Sequence, residues 1–474
     1  MAMRTRTATL PRATRHGGVR QVLAVIGAGA SGTLATAHLL RAARGSWRVV
    51  LIDRERHGTG AAYSTRDPRH LLNVPAAGMS AFDDDPGDFV RWCRGQGRIV
   101  RESDYLPRQL YGAYLRDLLT RFAAPGDLEL VRNEAVAITR GGERRALSVA
   151  LCDGRRIDAD AAIVAVGNPR PAPLACVGSG VRVVADPWNS GSLERVRGAR
   201  RVLVVGAGLT AVDIAQSVTA ACSTTEVLAI SRHGRLPQSH LPVDSESVAP
   251  PLAVDRRPIR LRSLVSAVSE AVRAQPTEWR NVVDSLRPHT PALWQALSLE
   301  DQRKFLRELK WMWDIHRHRM APQVATETDY LRARGRLRVQ RGTVASICGS
   351  PNTVTVSVDD DAGGREFTAD WVVNATGPAG DITGCADLLV RQLLDGGLAQ
   401  PDDLGIGFAC TADGALLDNA GAADGRLFTL GPPRRGELLE STAIPEIRAQ
   451  AATLSHVLTG QRSAVQVPPA LATA

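Results

Sequence analysis

A glycine-rich turn occurs twice in this chain, each time between an apolar strand pattern and a helix pattern. The first copy is Gly27-Ala-Gly29-Ala-Ser-Gly32, which follows the apolar residues 21–26. The second is Gly206-Ala-Gly208-Leu-Thr-Ala211, which follows residues 201–205. Strand–turn–helix units of this kind build open parallel sheets covered by helices. The repeat therefore predicts an α/β protein with two sheets built on one plan.

The similarity between the two halves continues beyond the turns. Residues 128–169 carry a strand pattern, a hairpin and a buried strand that ends in small residues, and residues 337–378 repeat that order. Residues 241–330 differ, because their apolar positions have helical spacing after a proline-rich entry. The length of 474 residues exceeds what one ordinary core holds. We therefore predict two Rossmann-like dinucleotide-binding domains with a helical insertion.

The first turn has the full context of a dinucleotide site. Gly27 permits the tight turn, Gly29 lets the backbone approach a pyrophosphate, and Gly32 allows the helix to pack closely on the strand. Asp53 ends the second strand, 26 residues beyond Gly27, where a carboxylate can accept hydrogen bonds from an adenosine ribose. A glycine turn without a ligand is the alternative, and the surrounding pattern disfavours it. The candidate cofactor-binding residues of this half are Gly27, Gly29, Ser31, Gly32, Asp53 and Arg54.

The second turn differs from the first at two places. Ala211 replaces the third glycine, and the following strand ends in Ser231-Arg232 rather than in an acid. An acid would repel a 2′-phosphate, whereas Arg232, with Arg235 as a second candidate, could bind it. The pattern favours NADPH over NADH, and a solvated surface arginine stays the alternative. The candidate cofactor-binding residues of this half are Gly206, Gly208, Thr210, Arg232, Thr376 and Gly377.

Two dinucleotide sites in one chain indicate a division of labour. One pairing is a tightly held FAD at the first turn and a transient NADPH that delivers hydride to the flavin N5. Near the C-terminus an apolar strand meets Gly431, and Ser441 or Thr442 is expected to open a final helix that runs to about Leu458. The N-terminus of that helix could stabilise negative charge on the reduced flavin. An ordinary capped helix fits the same spacing, so both interpretations of Gly431, Ser441 and Thr442 stay open.

The predicted division of the chain follows from these motifs. We expect a disordered leader at residues 1–20, the FAD-binding domain at 21–170 and 371–474, the NADPH-binding domain at 171–240 and 331–370, and the helical insertion at 241–330.

Several classes of site lack support in the sequence. The seven cysteines are scattered and form no CxxC, which disfavours a zinc site and a redox-active dithiol. His316 and His318 have no third ligand cluster nearby, so we expect a structural or pocket-lining role and no metal. The net charge is +9, but five arginines within the first twenty residues account for about half of it, which argues against a nucleic-acid surface. No apolar run approaches the roughly 18 residues of a membrane span, and we expect a cytoplasmic protein.

Six further stretches carry a resemblance to a known family. They are Gly58–Thr65, His70–Ala76, Pro107–Leu115, Asp186–Trp188, Ile230–Pro237 and Gly431–Glu446. In them the chain resembles the FAD/NAD(P)-binding family that includes flavin-dependent urate hydroxylases and aspartate N-monooxygenases. The run Gly206–Ala215 is also similar to the pyridine-nucleotide motif of class B flavin monooxygenases.

The resemblance implies positions for two segments. It implies that the segment around Asn73, a further cofactor-binding candidate, lies near the flavin ring and that Gly431–Glu446 closes over it. In many two-domain flavoproteins an Asp that binds the ribityl chain follows this glycine. Here Pro432 follows Gly431, so that contact must come from elsewhere.

Three functions remain on the sequence alone. The first is a monooxygenase in which NADPH reduces FAD, O2 adds at C4a of the reduced flavin, and a buried small molecule, such as an amine or a purine-like ring, is oxygenated. The second is an NADPH-dependent reductase that passes electrons to a partner protein. The third is a non-catalytic FAD-binding protein. The sequence assigns no catalytic residue, no substrate and no oligomeric state.

Overall fold

A computed structural model describes most of the chain. The described residues are 20–43, 45–55, 58–141, 145–175, 177–189, 191–241, 248–252, 258–350, 353–361 and 363–460. The predicted leader lies outside them, except for Arg20. Within them no helix is both long enough and apolar enough to cross a lipid bilayer.

The secondary structure alternates strands and helices in each half of the chain. The strands are β1 (Gln21–Ile26), β2 (Trp47–Asp53), β3 (Leu128–Arg132), β4 (Ala135–Arg140), β5 (Leu147–Leu151), β6 (Arg156–Ala159), β7 (Ala161–Val164), β8 (Val183–Val184), β9 (Arg201–Val205), β10 (Glu226–Ser231), β11 (Leu337–Arg341), β12 (Thr343–Ser350), β13 (Thr353–Asp360), β14 (Gly363–Ala369), β15 (Trp371–Asn374) and β16 (Leu427–Thr429). The helices are α1 (Ala30–Ala43), α2 (Gly60–Tyr63), α3 (Asp88–Gly95), α4 (Arg108–Arg121), α5 (Leu209–Ala221), α6 (Leu261–Ala274), α7 (Trp279–Ser285), α8 (Thr290–Ala296), α9 (Leu299–Lys304), α10 (Lys310–Arg317), α11 (Pro322–Ala333), α12 (Leu388–Asp395), α13 (Arg435–Leu438) and α14 (Ile444–Thr459).

Two parallel sheets form the centres of the two modules. In the described residues the first sheet has the order β16-β7-β1-β2-β3, and the second has the order β11-β10-β9-β15-β8. Each glycine turn joins the middle strand of its sheet, β1 or β9, to the helix that follows it. The inner strands β1, β7, β9 and β15 are apolar along almost their whole length, as expected for strands covered on both faces, whereas the edge strands β3 and β11 carry exposed charged residues. This arrangement confirms the predicted α/β fold with two Rossmann-like cores.

The repeat extends to a small antiparallel sheet in each module. β4-β5-β6 follows the third parallel strand β3, and β12-β13-β14 follows β11. The predicted hairpins are therefore parts of three-stranded sheets. Of these six strands, the sequence patterns indicated only β5 and β13, and β4, β6, β12 and β14 were not predicted. β6 and β14 carry charged side chains at exposed positions instead of an apolar alternation.

The predicted domain boundary at residue 371 is wrong. β15 pairs with β9 on one side and with β8 on the other, so Trp371–Asn374 belongs to the second sheet. The chain rejoins the first sheet at β16, which pairs with β7. A single residue, Asp370, separates β14 from β15, and so short a connection keeps β15 in its own module.

Both modules are interrupted at the same point, between their second and third parallel strands. Helices α2, α3 and α4 lie in the interruption of the first module, and α6 to α11 lie in that of the second. From Leu261 onward the described part of residues 241–330 is thus mostly helical, as predicted. The final helix α14 returns to pack along α1 of the first module, which brings the C-terminal segment back to the first glycine turn.

Candidate functional site

The first glycine turn leaves no room for side chains. Gly27 has φ +98°, and a Cβ there would lie 2.3 Å from the carbonyl oxygen of Ala165 at the end of β7. A Cβ on Gly32 would lie 1.9 Å from the carbonyl oxygen of Gly27. Ser31 is buried in the first turn of α1. The turn therefore presses α1 against the sheet, with its N-terminus at the carboxyl edge of the strands.

Asp53 is fixed at the end of β2, beside that turn. Its Oδ2 accepts a hydrogen bond from the Ala28 backbone N–H (2.7 Å), and its Oδ1 accepts one from Glu55 (2.8 Å). Each carboxylate oxygen keeps a second lone pair that a ligand hydroxyl can use. Arg54 lies elsewhere, because its exposed side chain forms an ion pair with Glu134 (3.3 Å).

A second glycine pair covers the first turn and was missed as a feature of the site. The N–H of Gly58 donates to the carbonyl of Ala28 (2.8 Å), and a Cβ on Gly60 would lie 2.9 Å from the Cα of Gly29. This close approach requires glycine at position 60, where φ is +55°, whereas a Cβ on Gly29 would lie 3.5 Å from the Cα of Gly60. The Gly58-Thr-Gly60 spacing was the available signal, and it was used only for the family resemblance.

The C-terminal segment reaches the same turn. Gly431 has φ +77°, and a Cβ there would lie 2.3 Å from Ser31 Oγ. Its N–H donates to Gln450 Oε1 (2.8 Å). Ser441 Oγ and Gln450 Nε2 are buried and have no protein partner. These two buried polar atoms lie near the first glycine turn and lack hydrogen-bond partners in the protein. A polar ligand such as FAD would supply such partners.

The predicted start of the final helix needs a correction. The helix α14 begins at Ile444, with Ala443 as its N-cap, and not at Ser441 or Thr442. Pro445 sits in its first turn, where the fixed φ of proline favours helix initiation. Ser441 is fully buried, whereas Thr442 is exposed.

The second glycine turn repeats the geometry of the first but stays open. Gly206 has φ +120°, and a Cβ there would lie 2.2 Å from the carbonyl oxygen of Ala375, after β15. Gly208 is exposed, and a Cβ there would meet no atom within 4 Å. It precedes α5, and it supplies no side-chain cap for the helix N-terminus. Thr376 and Gly377 follow Ala375 and therefore lie beside this second turn, as does Thr210 in the first turn of α5.

Arg232 occupies the place that Asp53 has in the first module. It directly follows β10, 26 residues after Gly206, and its side chain is exposed. Arg235 is exposed as well. The neighbouring His233 stacks on Trp311 of the insertion, with ring centroids 4.0 Å apart. The second module therefore presents positive charge at the strand end where the first presents a carboxylate.

Asn73 lies where the two modules meet. Its backbone carbonyl oxygen lies 3.1 Å from Nε2 of His240, which lies in the segment after β10 of the second sheet. Burial and the charge of Arg319 lower the pKa of His240 to about 4, so the ring is neutral at pH 7 and can donate this hydrogen bond. Arg319 is itself buried, and its Nη2 donates to both carboxylate oxygens of Asp284 at 2.5 Å.

A second set of polar contacts ties α5 to the first module. Arg108 forms a buried ion pair with Asp213 (2.9 Å), and Ser217 donates to Asp67 Oδ2 (2.7 Å). Burial raises the pKa of Asp213, and the adjacent Arg108 opposes that rise. Ser217 also lies 2.8 Å from Nε2 of the buried His70. The helix that opens at the second glycine turn is therefore anchored to the segments that follow the first.

The helices of the insertion line a partly open cavity of about 560 Å³. Its walls come from α6, α7, α8, the π-helical turn Phe305–Leu309 and α10. His316 is among the lining residues, as predicted, and Leu439 of the C-terminal segment closes one side. In the searched residues, which are those the structure describes, no group of three His, Cys, Asp or Glu side chains could hold a metal ion.

Comparisons with known proteins agree with the dinucleotide motifs and the fold. Residues 24–169 match a family model described as FAD-NAD(P)-binding, which covers the first glycine turn and β7. This supports the predicted dinucleotide cofactors. No curated protein matches the chain.

Solved structures of amine-oxygenating flavoproteins have a similar fold. Ornithine N-hydroxylase from Kutzneria sp. 744, solved with reduced FAD, NADP⁺ and L-ornithine, has a TM-score of 0.63 at 16% identity, over 93% of this chain and 99% of that one. L-Lysine 6-monooxygenase from Pseudomonas syringae has a TM-score of 0.64 at 14% identity over the same shares. The cadaverine monooxygenase of Erwinia amylovora, solved with FAD, has 0.64 at 13% identity, over 96% of this chain and 100% of that one. At such identities the similarity establishes the fold alone.

Proposed function

We propose that the chain is an FAD-dependent monooxygenase that uses NADPH and O2 to oxygenate a small molecule. The observation that carries the proposal is the pair of glycine turns with opposite charge at the strand ends. One turn is covered and has a carboxylate beside it, and the other is open and has an arginine beside it. A covered site suits a resident cofactor, and an open site suits a reductant that must enter and leave.

The proposed FAD site consists of the first turn and the segments that contact it. Gly27, Gly29, Ser31 and Gly32 would hold the pyrophosphate at the N-terminus of α1, and Asp53 would accept from the ribose. Gly431 and the unpartnered Ser441 hydroxyl would lie along the rest of the cofactor, with Asn73 near the ring. Arg54 and Thr442 are the two exposed residues of the set proposed for FAD, and Arg54 already pairs with Glu134.

The proposed NADPH site is the second turn. The backbone at Gly206 and Gly208 would approach the pyrophosphate, with Thr210, Thr376 and Gly377 beside it. Arg232 would pair with the 2′-phosphate, since a guanidinium matches the geometry of phosphate oxygens. The ion pair of Arg108 with Asp213 would hold this helix against the FAD module.

The overall reaction balances with one oxygen atom going to the substrate. Substrate, O2, NADPH and one proton give oxygenated substrate, water and NADP⁺. Bound FAD supplies the two-electron exchange between NADPH and O2, and the protein supplies orientation and exclusion of water. The motif similarity to aspartate N-monooxygenases, together with the fold similarity to amine-oxygenating enzymes, favours an amine nitrogen as the oxygenated atom. The motif similarity to urate hydroxylases keeps a purine-like ring as the second substrate class.

Isotope transfer tests the proposal directly. Purified protein loaded with FAD is supplied with NADPH, a panel of amines and purines, and isotopically labelled O2. We expect NADPH consumption to rise with a substrate and one labelled oxygen atom to appear in the product. Stoichiometric release of H2O2 with every compound and no labelled product would contradict a monooxygenase. Electron transfer to an added protein acceptor, with no oxygenated product, would instead support a reductase.

A further inference from the structure

The cavity in the insertion has an almost wholly apolar wall. Its lining includes Leu261, Leu264, Val265, Val268, Val272, Val283, Leu286, Leu293, Leu297 and Met312, together with Trp279, Trp294, Trp313 and Phe305. Among the described lining residues there is no carboxylate, and the one lysine or arginine, Arg273, is exposed. We propose that this cavity binds an uncharged alkyl or aryl part of the substrate of the proposed monooxygenase. The inference rests on that proposed function.

Several polar atoms of the lining are already bonded to protein. Trp294 Nε1 donates to the carbonyl of Gly436 (2.7 Å), and Trp313 Nε1 donates to Glu440 Oε1 (3.0 Å). Thr290 Oγ1 donates to the carbonyl of Leu286 (3.1 Å). The two indoles therefore offer the cavity apolar ring surface, because their single donors are used elsewhere.

Binding of a charged ammonium group in this apolar cavity would be unfavourable. Moving an ammonium group out of water is costly unless a carboxylate or several acceptors replace the water. Ornithine, lysine and cadaverine each carry a second charged group beyond the nitrogen that is oxygenated. The described lining has no carboxylate to pair with such a group, so the cavity selects against these substrates and for an apolar one.

Leu439 belongs both to the wall of the cavity and to the C-terminal segment that forms part of the proposed flavin site. Its φ of 58° and ψ of −56° are unusual for a residue other than glycine, and the N–H of Glu440 donates to the carbonyl of Leu438 (2.7 Å) across it. This is a γ-turn of the rare, strained form. Strain of this kind persists where the surroundings fix it, often at ligand sites. It places Leu439 in the cavity wall only two residues before the buried, unpartnered hydroxyl of Ser441.

The cavity has the size of a small-molecule site. Its volume of about 560 Å³ lies within the usual range of roughly 300–1,000 Å³ for such sites. The π-helical turn Phe305–Leu309 contributes both of its end residues to the wall. π-Helical turns within α-helices are frequently found at functional sites. The position of this one in the wall agrees with a ligand-binding cavity.

A chain-length series tests the inference on the intact FAD-loaded protein. Calorimetry measures the binding of butylamine, hexylamine, octylamine and decylamine, with lysine and ornithine as polar references. We expect the dissociation constant to fall about fourfold for each added methylene until the cavity is full. The heat-capacity change should become more negative along the series, since apolar surface leaves water. Equal affinities along the series, or tighter binding of lysine than of decylamine, would overturn the inference.

Two variants on one helix locate the effect. Val268→Trp fills the cavity from α6 and should abolish the dependence on chain length, while FAD content stays at the wild-type level. Ser263→Trp adds the same side chain at an exposed position of α6 and should leave the series unchanged. An unchanged series in a folded Val268→Trp protein would place alkyl binding outside this cavity and overturn the assignment.

The outcomes separate this inference from the function on which it rests. Length-dependent binding without oxygenation of any bound amine would contradict the monooxygenase and leave the apolar site standing. Oxygenation of lysine or ornithine, with no gain from longer alkyl chains, would support the monooxygenase and overturn the apolar substrate.

Discussion

The two modules use the same turn for sites of opposite character. In both, the first glycine has a positive φ and lies against a carbonyl oxygen of the strand that ends beside it, Ala165 or Ala375. The second glycine is covered by Gly60 in the first module and open in the second. The strand ends carry Asp53 and Arg232. In the proposed function, the backbone turn would set where a phosphate lies, and its surroundings would decide which dinucleotide is held and how firmly.

The interruptions of the two modules differ in a parallel way. In the first module, Arg108 on α4 and nearby loop residues such as Asp67 contact α5 of the second module. In the second module, α6, α7, α8, α10 and the turn Phe305–Leu309 line the apolar cavity together with Leu439 of the C-terminal segment. The first interruption therefore contacts the second module, and the second interruption forms most of the wall of the cavity that we propose as a substrate site. The following predictions test this comparison.

The largest difference is expected at the third position of the turn. A Cβ on Gly32 would lie 1.9 Å from the Gly27 carbonyl oxygen, and neither backbone group can move away cheaply. Gly32→Ala should lower the free energy of unfolding by about 3 kcal/mol, a large overpacking penalty, and deplete FAD. Urea denaturation and flavin absorbance measure both effects.

The matched change in the second module is Ala211→Gly. It removes a buried methyl group from the first turn of α5 and should cost only about 1 kcal/mol, since glycine is a poor helix former. FAD content should stay unchanged. An equal loss of unfolding free energy in Gly32→Ala and Ala211→Gly would contradict the expected difference in packing between the two turns.

The second prediction concerns the open glycine. Gly208→Leu places a side chain where a Cβ meets no protein atom within 4 Å, so the loss of stability should stay near the roughly 1 kcal/mol that a poor N-cap of α5 costs. The side chain would occupy the space of the pyrophosphate, and we expect NADPH affinity to fall about 100-fold, or roughly 2.7 kcal/mol. Fluorescence titration measures the affinity. Gly95→Leu, at another open and exposed glycine, is the control and should leave NADPH binding intact.

The third prediction concerns the charge at the strand end. Arg232→Ala should weaken NADPH binding about tenfold, or roughly 1.4 kcal/mol, because a charge-assisted hydrogen bond to the 2′-phosphate is lost. NADH, which lacks that phosphate, should bind as before. Arg197→Ala, an exposed arginine of the same module, serves as the control. An equal loss of affinity for NADPH and NADH would indicate that Arg232 does not bind the 2′-phosphate.

The sequence predicted the parts of this molecule that depend on local pattern. The strand–turn–helix units, the repeat and the helical insertion follow from periodicity and from glycine spacing, which act over short stretches of chain. The placement of Gly60 against Gly29 was not predictable in this way, because it depends on two loops that meet only after folding. The same holds for β15, whose apolar pattern fits either sheet until its one-residue connection to β14 is considered.

The cavity in the insertion and the contacts between the two modules could not be predicted from the sequence. The apolar side chains of the insertion were predicted as helix faces, and their spacing does not reveal that the helices leave a space between them. The anchoring of α5 by Asp67 and Arg108 joins residues more than one hundred positions apart. Tertiary contacts of this kind need the three-dimensional structure, whereas the turns that they support do not.

The smallest effect is expected at the junction between the modules. Ser217→Ala removes a hydrogen bond to Asp67 and should lower the free energy of unfolding by about 1 kcal/mol at pH 7. Burial raises the pKa of Asp67, but hydrogen bonds from Arg69 and Ser217 outweigh it and hold the pKa at about 2. A carboxyl with a lowered pKa stabilises the fold above its ordinary value near 4, and this contribution is lost as the pH falls towards 2.

The difference between wild type and Ser217→Ala should therefore shrink as the pH falls from about 4 to about 2. Denaturation by urea at a series of pH values measures it. Ser223→Ala, on the exposed turn after α5, is the control and should cost little at any pH. A difference that stays constant down to the lowest pH would mean that the charge of Asp67 contributes nothing through this bond. The contact of the second module with the first would then depend on the buried Arg108–Asp213 pair and not on the Asp67 carboxylate.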